Sequence, residues 1–356
     1  TQTGKGPKFP SKGIPIHAHA QSYVPDGEWP ITTGVPMPKG ALKNIDGLAL
    51  LENGNPVPAQ FIVRATWSPN GWVKWVGVDF IAHYDKGKPR EYRLKLLPTV
   101  ASVGEGFIPS RSSSREGVKP SPTFMGESGV RGVSCIQTDD KITVNTGVIR
   151  FEINRKQFAG IEKAWIGNEL IVDGRGGSFV VDDKGKRFES AHSKKAQAPG
   201  GESGPVVVDE DKRFDSAYSK EAQVVVEENG PVQATIAAKG WYCNEAGEPL
   251  CKYVIRFKAY AGQPYVAISH LTINTIPDQY VTTKLADVGF EVVPSGRIDK
   301  WRYGFDGKSQ EGAAVSKPTS IFLHQDRGDH FRLMADDAPL AEGKRSDGWM
   351  TAQATN

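Results

Sequence analysis

The chain has 356 residues, with 44 Lys plus Arg against 41 Asp plus Glu and a formal charge of +3. The charges are interspersed, which argues against the basic stripe of a nucleic-acid binder, and no run approaches the roughly 18 apolar residues of a membrane span. Eight Trp and fifteen Phe argue against disorder. The 39 Gly and 24 Pro, roughly half as many again as average usage gives, mark a turn-rich chain, and the length implies about two domains.

Thr1-Gln2-Thr3-Gly4 has no apolar leader, which fits a mature or trimmed protein of a secreted or periplasmic setting. His17-Ala18-His19 lies on an extended segment, where alternation puts both imidazoles on one side. Metal sites use that geometry, but no third ligand stands nearby, so an exposed N-terminal segment is expected. Residues 73–80 form a β-type run. Trp67 and Trp75 are expected to fill a small barrel core, because large aromatics dominate cores. Trp72 follows Asn70-Gly71 in a turn and is the candidate for an exposed, substrate-binding stacking platform.

Residues 101–131 read as a linker, since Ser110-Arg111-Ser112-Ser113-Ser114 and Lys119-Pro120-Ser121-Pro122 are polar and aperiodic. It separates a first domain, 1–100, from a second, 132–356. In the second, Ile142, Val144, Ile149, Phe151 and Ile153 mark two period-2 stretches around Asn145-Thr146-Gly147. Residues 186–197 recur at 212–223 with nine of twelve positions identical, inside a duplicated segment at 180–223. Two copies are too few for a solenoid, so a surface hairpin or flap is expected. Cys243 and Cys251 flank a hairpin connection, either as a cross-strand disulfide or as two reduced strand cysteines. No Cys/His spacing suits zinc.

Tyr253, Ile255 and Phe257 alternate with Val254, Arg256 and Lys258. After the turn Ala261-Gly262-Gln263-Pro264 come Val266, Ile268, His270 and Thr272. Arg256 can clamp a carboxylate and His270 can act as a general base; equally, the first can be an arginine paired with a carboxylate and the second a hydrogen-bonded strand histidine. Lys284 is a weaker substrate-binding candidate, and Asp287 can pair with it. The densest set of imidazole and charge is residues 324–332. His324, Arg327 and His330 can serve as base, carboxylate clamp and acid, or Asp326 and Asp329 can hold a divalent cation such as calcium together with His330. The alternative is a polar hairpin tip with solvated charges. Nothing in the sequence requires a cofactor. No helix longer than two turns is expected. The fold class is mainly β, a small N-terminal β-barrel-like domain followed by a large antiparallel β-sandwich.

Two groups of motifs carry a resemblance. The first is Thr33-Gly34-Val35-Pro36-Met37-Pro38-Lys39-Gly40, then Asn53-Gly54-Asn55-Pro56-Val57-Pro58-Ala59-Gln60, then Trp67-Ser68-Pro69-Asn70-Gly71-Trp72-Val73-Lys74-Trp75. It resembles the N-terminal β-barrel module of the exo-rhamnogalacturonan lyase-like proteins (polysaccharide lyase family 26 and relatives). Trp72 stands where that family usually has a small residue. The second is Asp140-Lys141-Ile142-Thr143-Val144-Asn145-Thr146-Gly147, Glu228-Asn229-Gly230-Pro231-Val232, Lys239-Gly240-Trp241 and Tyr260-Ala261-Gly262-Gln263-Pro264. It is similar to the central β-sandwich of the same proteins.

The resemblance implies a polysaccharide lyase, or its β-rich part, that cleaves an acidic rhamnose-containing glycan such as rhamnogalacturonan or ulvan by β-elimination at a uronate. The family continues into an α/α toroid, absent from this chain, so a second chain or fragment carrying it is an expected partner beside the acidic polysaccharide. Nucleic acid and membrane are not. Elimination needs donors to stabilise the C5 carboxylate as it becomes enolate-like, a base for the C5 proton and an acid for the leaving oxygen. A non-catalytic carbohydrate-binding or scaffold portion is the alternative, and a glycoside hydrolase of an acidic glycan a third.

Overall fold

The computed structural model describes residues 7–19, 26–69, 71–85, 88–97, 132–190, 222–275, 284–305, 307–313, 321–327, 330–335 and 338–355. The expected linker and most of the duplicated segment lie outside them. Among the described residues every regular element is a strand, and the ladders are antiparallel. The chain forms two compact units, one of residues 1–150, 223–240 and 252–273, the other of residues 151–222, 241–251 and 274–356.

The first unit opens with seven strands: β1 (Ile14–Ala18), β2 (Gly27–Pro36), β3 (Leu48–Glu52), β4 (Asn55–Val57), β5 (Ala59–Thr66), β6 (Val73–Tyr84) and β7 (Arg90–Leu96). They make a four-stranded sheet, β1-β7-β3-β4, and a three-stranded sheet, β2-β6-β5. Asn53 and Gly54, both at positive φ, join β3 to β4, as a two-residue hairpin loop demands. One core spans both sheets. Val76, Val78, Phe80 and Ala82 of β6 are fully buried in it with Leu48, Leu50, Tyr92 and Leu94.

That packing reverses the expectation for two tryptophans. Alternation along β6 gives the core to even-numbered residues from Val76 onward, so Trp75, Gly77 and Asp79 point to the opposite face. Trp75 is 40% exposed and Trp67, just past the end of β5, is 43% exposed; aliphatic side chains with Phe61, Phe80, Tyr84 and Tyr92 fill the core that the two indoles were expected to fill.

The same unit contains the hairpin of β8 (Ser134–Gln137) and β9 (Lys141–Asn145), the pair formed by β15 (Gln223–Asn229) with β16 (Gln233–Cys243), and the pair formed by β17 (Pro249–Tyr260) with β18 (Val266–Ile273). Thr146 accepts a bond from the Gly262 N–H at 2.8 Å through its carbonyl and donates from Oγ1 to the Gln263 carbonyl at 2.8 Å. Gln263 in turn donates to the Glu28 carbonyl at 3.1 Å.

In the second unit, following β10 (Ile149–Asn154), β11 (Lys163–Ile166) pairs with β12 (Glu169–Asp173). β13 (Gly177–Asp182) lies between β14 (Arg187–Glu189) and β19 (Leu285–Glu291). Cys243 and Cys251 flank a hairpin closed by Asn244, whose N–H bonds the Glu248 carbonyl at 3.1 Å. Both cysteines are buried, and no disulfide joins them. The C-terminal strands are β20 (Arg297–Phe305), β21 (Lys308–Ala313), β22 (Ile321–Arg327), β23 (His330–Ala335), β24 (Ala338–Gly343) and β25 (Ser346–Thr355). They form two three-stranded sheets, β21-β20-β25 and β22-β23-β24, which share a core of Trp301, Tyr303, Phe331, Leu333 and Ala335.

Candidate functional site

At the end of the β5–β6 hairpin, the Trp67 N–H donates to the Trp72 carbonyl at 2.9 Å, and the Gly71 N–H closes the turn on the Ser68 carbonyl at 2.8 Å. A Cβ on Gly71 would stand 2.2 Å from Ser68 Oγ, so the turn needs glycine there. Residues 37–42 run alongside. Met37 N–H bonds the Lys74 carbonyl, and Val73 N–H bonds the Leu42 carbonyl, both at 2.9 Å. The Trp67 indole N–H donates to the Met37 carbonyl at 3.0 Å, and Lys74 Nζ stands 5.0 Å from the Trp67 ring centre. Trp72 is 39% exposed, as expected of a platform, and Lys43 Nζ stands 5.6 Å from its ring. Trp75 lies against Gly34, its ring 3.4 Å from the point a Cβ there would occupy. Period-2 counting along residues 76–84 sets Trp75 on the face opposite Val76, Val78 and Phe80, and the fold leaves that face exposed at Trp75.

On the same sheet face as Trp75, Asp79 is 1% exposed. Thr32 Oγ1 donates to its Oδ1 at 2.6 Å, while among the described residues Oδ2 has no hydrogen-bond partner. Burial pushes this carboxyl above its ordinary value and nearby Glu228 adds to that, against the opposing Thr32 bond and the charges of Arg64 and Lys258. Gln60, opposite Asp79 in the ladder, accepts from the Gln233 N–H at 3.1 Å. Arg64 bonds Glu228 at 2.6 Å. Asp79 is not among the expected site residues; its lone carboxylate in an apolar run was the available signal.

Arg256 and His270 do lie on paired strands, β17 and β18. The register sets Arg256 opposite Ser269 and His270 opposite Ile255, so the two side chains project from opposite faces of the sheet. Arg256 bonds Glu227 through Nε at 2.6 Å and Nη2 at 3.3 Å, and Lys239 reaches the same carboxylate at 3.0 Å. Burial alone would push Glu227 up; the Arg256 and Lys239 contacts outweigh it and hold the carboxyl below its ordinary value. His270 is half-buried, which pushes its pKa down and keeps the imidazole neutral. Its Nε2 stands 3.5 Å from Thr272 Oγ1.

The 324–332 cluster is the hairpin of β22 and β23. His324 lies opposite Arg332 and Arg327 opposite His330, so the two histidines occupy different strands of the ladder. His330 Nε2 is 3.9 Å from Glu342. The side chains of His324, Asp326 and Arg327, and all of Asp329, lie outside the described residues. Lys284 is exposed just before β19. The His17 and His19 rings are exposed, 6.2 Å apart. Among the described residues no group of three or more His, Cys, Asp or Glu is placed to hold a metal ion.

Residues 133–292 match the family model described as the PcRGLX-like protein central β-sandwich domain. Over that span the chain is similar to the central β-sandwich of the exo-rhamnogalacturonan lyase-like proteins, the portion that the second group of motifs resembles. No curated protein matches the chain.

Proposed function

We propose that the chain is the β-rich part of a secreted or periplasmic polysaccharide lyase acting on an acidic, rhamnose-containing glycan of the rhamnogalacturonan or ulvan type. The match over residues 133–292 carries this reading. In β-elimination a base takes the C5 proton of a uronate while cationic or hydrogen-bonding groups hold its carboxylate and an acid protonates the leaving oxygen. A neutral imidazole suits the first task, and burial keeps His270 in that form. His324, Arg327 and His330 offer a second base, a carboxylate clamp and an acid, to act with groups from the α/α toroid the resemblance implies.

A non-catalytic, glycan-binding reading is favoured by one observation. Arg256 is already bonded to Glu227 and projects away from His270, so this clamp and base do not meet on one face. The two readings separate in one assay, in which the chain is incubated with rhamnogalacturonan and with ulvan and the ultraviolet absorbance of the unsaturated uronate is followed. Growth of that absorbance, slowed on His270→Ala, is the expected outcome. Retention of the polymer without absorbance growth assigns the chain a binding role. Neither signal on either polymer withdraws the proposal.

A further inference from the structure

The tip of the β5–β6 hairpin leaves three indoles exposed that the core does not need, because other β6 side chains, Val76, Val78, Phe80 and Ala82, already fill the interior. Exposures of 43% for Trp67, 39% for Trp72 and 40% for Trp75 within nine residues are uncommon for so large an apolar side chain, and clustered exposed apolar surface marks an interaction site. Two of these rings are held in place, and the third stands on a closed turn. Trp67 is tethered to the Met37 carbonyl, Trp75 rests on Gly34, and the turn beneath Trp72 is closed by its own backbone bonds. A ligand therefore meets preorganised faces and loses little to ordering them.

The charge carried by the tip's own segments is of one sign. The two segments that build the tip, residues 34–43 and 65–75, contain Lys39, Lys43 and Lys74 and no Asp or Glu. All three lysines are exposed, and two of their ammonium groups stand near indole faces. Aromatic faces take the apolar C–H face of a pyranose ring, and ammonium groups beside them take carboxylates by charge-assisted hydrogen bonds. A polymer that alternates deoxy-sugar rings with uronates presents both.

We propose that Trp67, Trp72 and Trp75 with Lys39, Lys43 and Lys74 form a docking surface for a strand of uronate-containing polysaccharide, outside the segment that matches the lyase family's sandwich. The choice of polymer rests on the proposed function; the surface itself rests on the exposed rings and their charge.

Affinity electrophoresis of the full chain through gels containing rhamnogalacturonan, ulvan or neutral galactan tests it, with emission of the tryptophans as a second readout. The wild type is expected to be retarded by the acidic polymers, with retardation falling as salt rises. Trp72→Ala is expected to weaken binding about tenfold, and the pair Lys43→Gln with Lys74→Gln to weaken it several-fold and flatten the salt dependence. The lysine pair guards against misfolding, because both side chains are exposed. Equal retardation of the wild type and both variants would overturn the site while leaving the proposed function standing, since uronate absorbance reads that separately. Equal retardation by galactan would overturn the acidic class. Tighter binding to single-stranded DNA than to either acidic polymer would assign the surface to nucleic acid instead. No retardation by any polymer overturns the inference outright.

Discussion

Asp79 sits between Thr32 and Gln60 in the β2-β6-β5 sheet, and ionising it there means charging a group that is 1% exposed with a single hydroxyl donor. Its folded pKa lies above the ordinary value of 3.8. The neutral form is therefore favoured in the fold. That contribution to stability is complete below the unfolded pKa and is lost as pH rises through the raised one. Asp79→Asn keeps an acceptor for Thr32 and removes the ionisation. Its thermal midpoint is expected to gain on that of the wild type as pH rises from about 4 to about 8, by a few degrees at this chain size. A midpoint difference that stays constant across the range would mean that Asp79 is ionised and compensated in the fold. Arg256 shows the converse: its guanidinium stabilises a neighbouring carboxylate within the sheet, so its positive charge is already engaged.

At the level of elements, cross-strand pairs decide which residues a sheet tolerates. In the β13–β19 ladder Phe179 stands opposite Gly289, and a Cβ on Gly289 would fall 2.4 Å from the phenyl ring. Arg187 packs its guanidinium 3.8 Å from the centre of the same ring and bonds Glu189 at 2.9 Å and Glu291 at 2.8 Å. Phe179 thus covers a glycine on one strand and carries a charged stack from another. Gly289→Val is expected to cost about 1–3 kcal/mol, the usual penalty of overpacking, read as a lower urea midpoint with an unchanged slope. Wild-type stability in that variant would mean that the ring moves aside freely. The β5–β6 hairpin follows the same logic in reverse: Gly34 and Gly77 pair across β2 and β6, and the open space over Gly34 is what Trp75 fills.

For the whole molecule, the three cysteines show what holds the fold. Cys135, Cys243 and Cys251 are buried, and none is in a disulfide. Burial pushes the Cys135 thiol up to about 12 and the Cys251 thiol up to about 11, so neither offers thiolate at neutral pH. A thiol reagent is expected to find all three only in denaturant, and a reductant to leave the thermal midpoint unchanged. A midpoint that falls on reduction would instead establish the Cys243–Cys251 bridge. In the native state the fold rests on strand pairing and two-sided cores, with Tyr242 hydrogen-bonded to Ser178 in the interior of the second unit.

Much of this was legible in the residues. Turn residues at Asn53-Gly54 and 261–264, and alternation at 253–258 and 266–272, name strands and hairpins without reference to any neighbour, because pleat and turn geometry are local. The order of motifs between 138 and 272 carried the family resemblance that the match over residues 133–292 bears out. Local pattern also divides each strand into two faces. It does not say which face another part of the chain will cover. Only the fold decided that Val76, Val78, Phe80 and Ala82, rather than Trp67 and Trp75, fill the N-terminal core. Only the β17–β18 register sent Arg256 and His270 to opposite faces, and only residues 228–235 arriving over β5 and β6 buried Asp79. The burial of Asp79 depends on contacts between residues more than a hundred positions apart, Gln60 with Gln233 and Arg64 with Glu228, where burial and partner, not local preference, set the chemistry of a side chain.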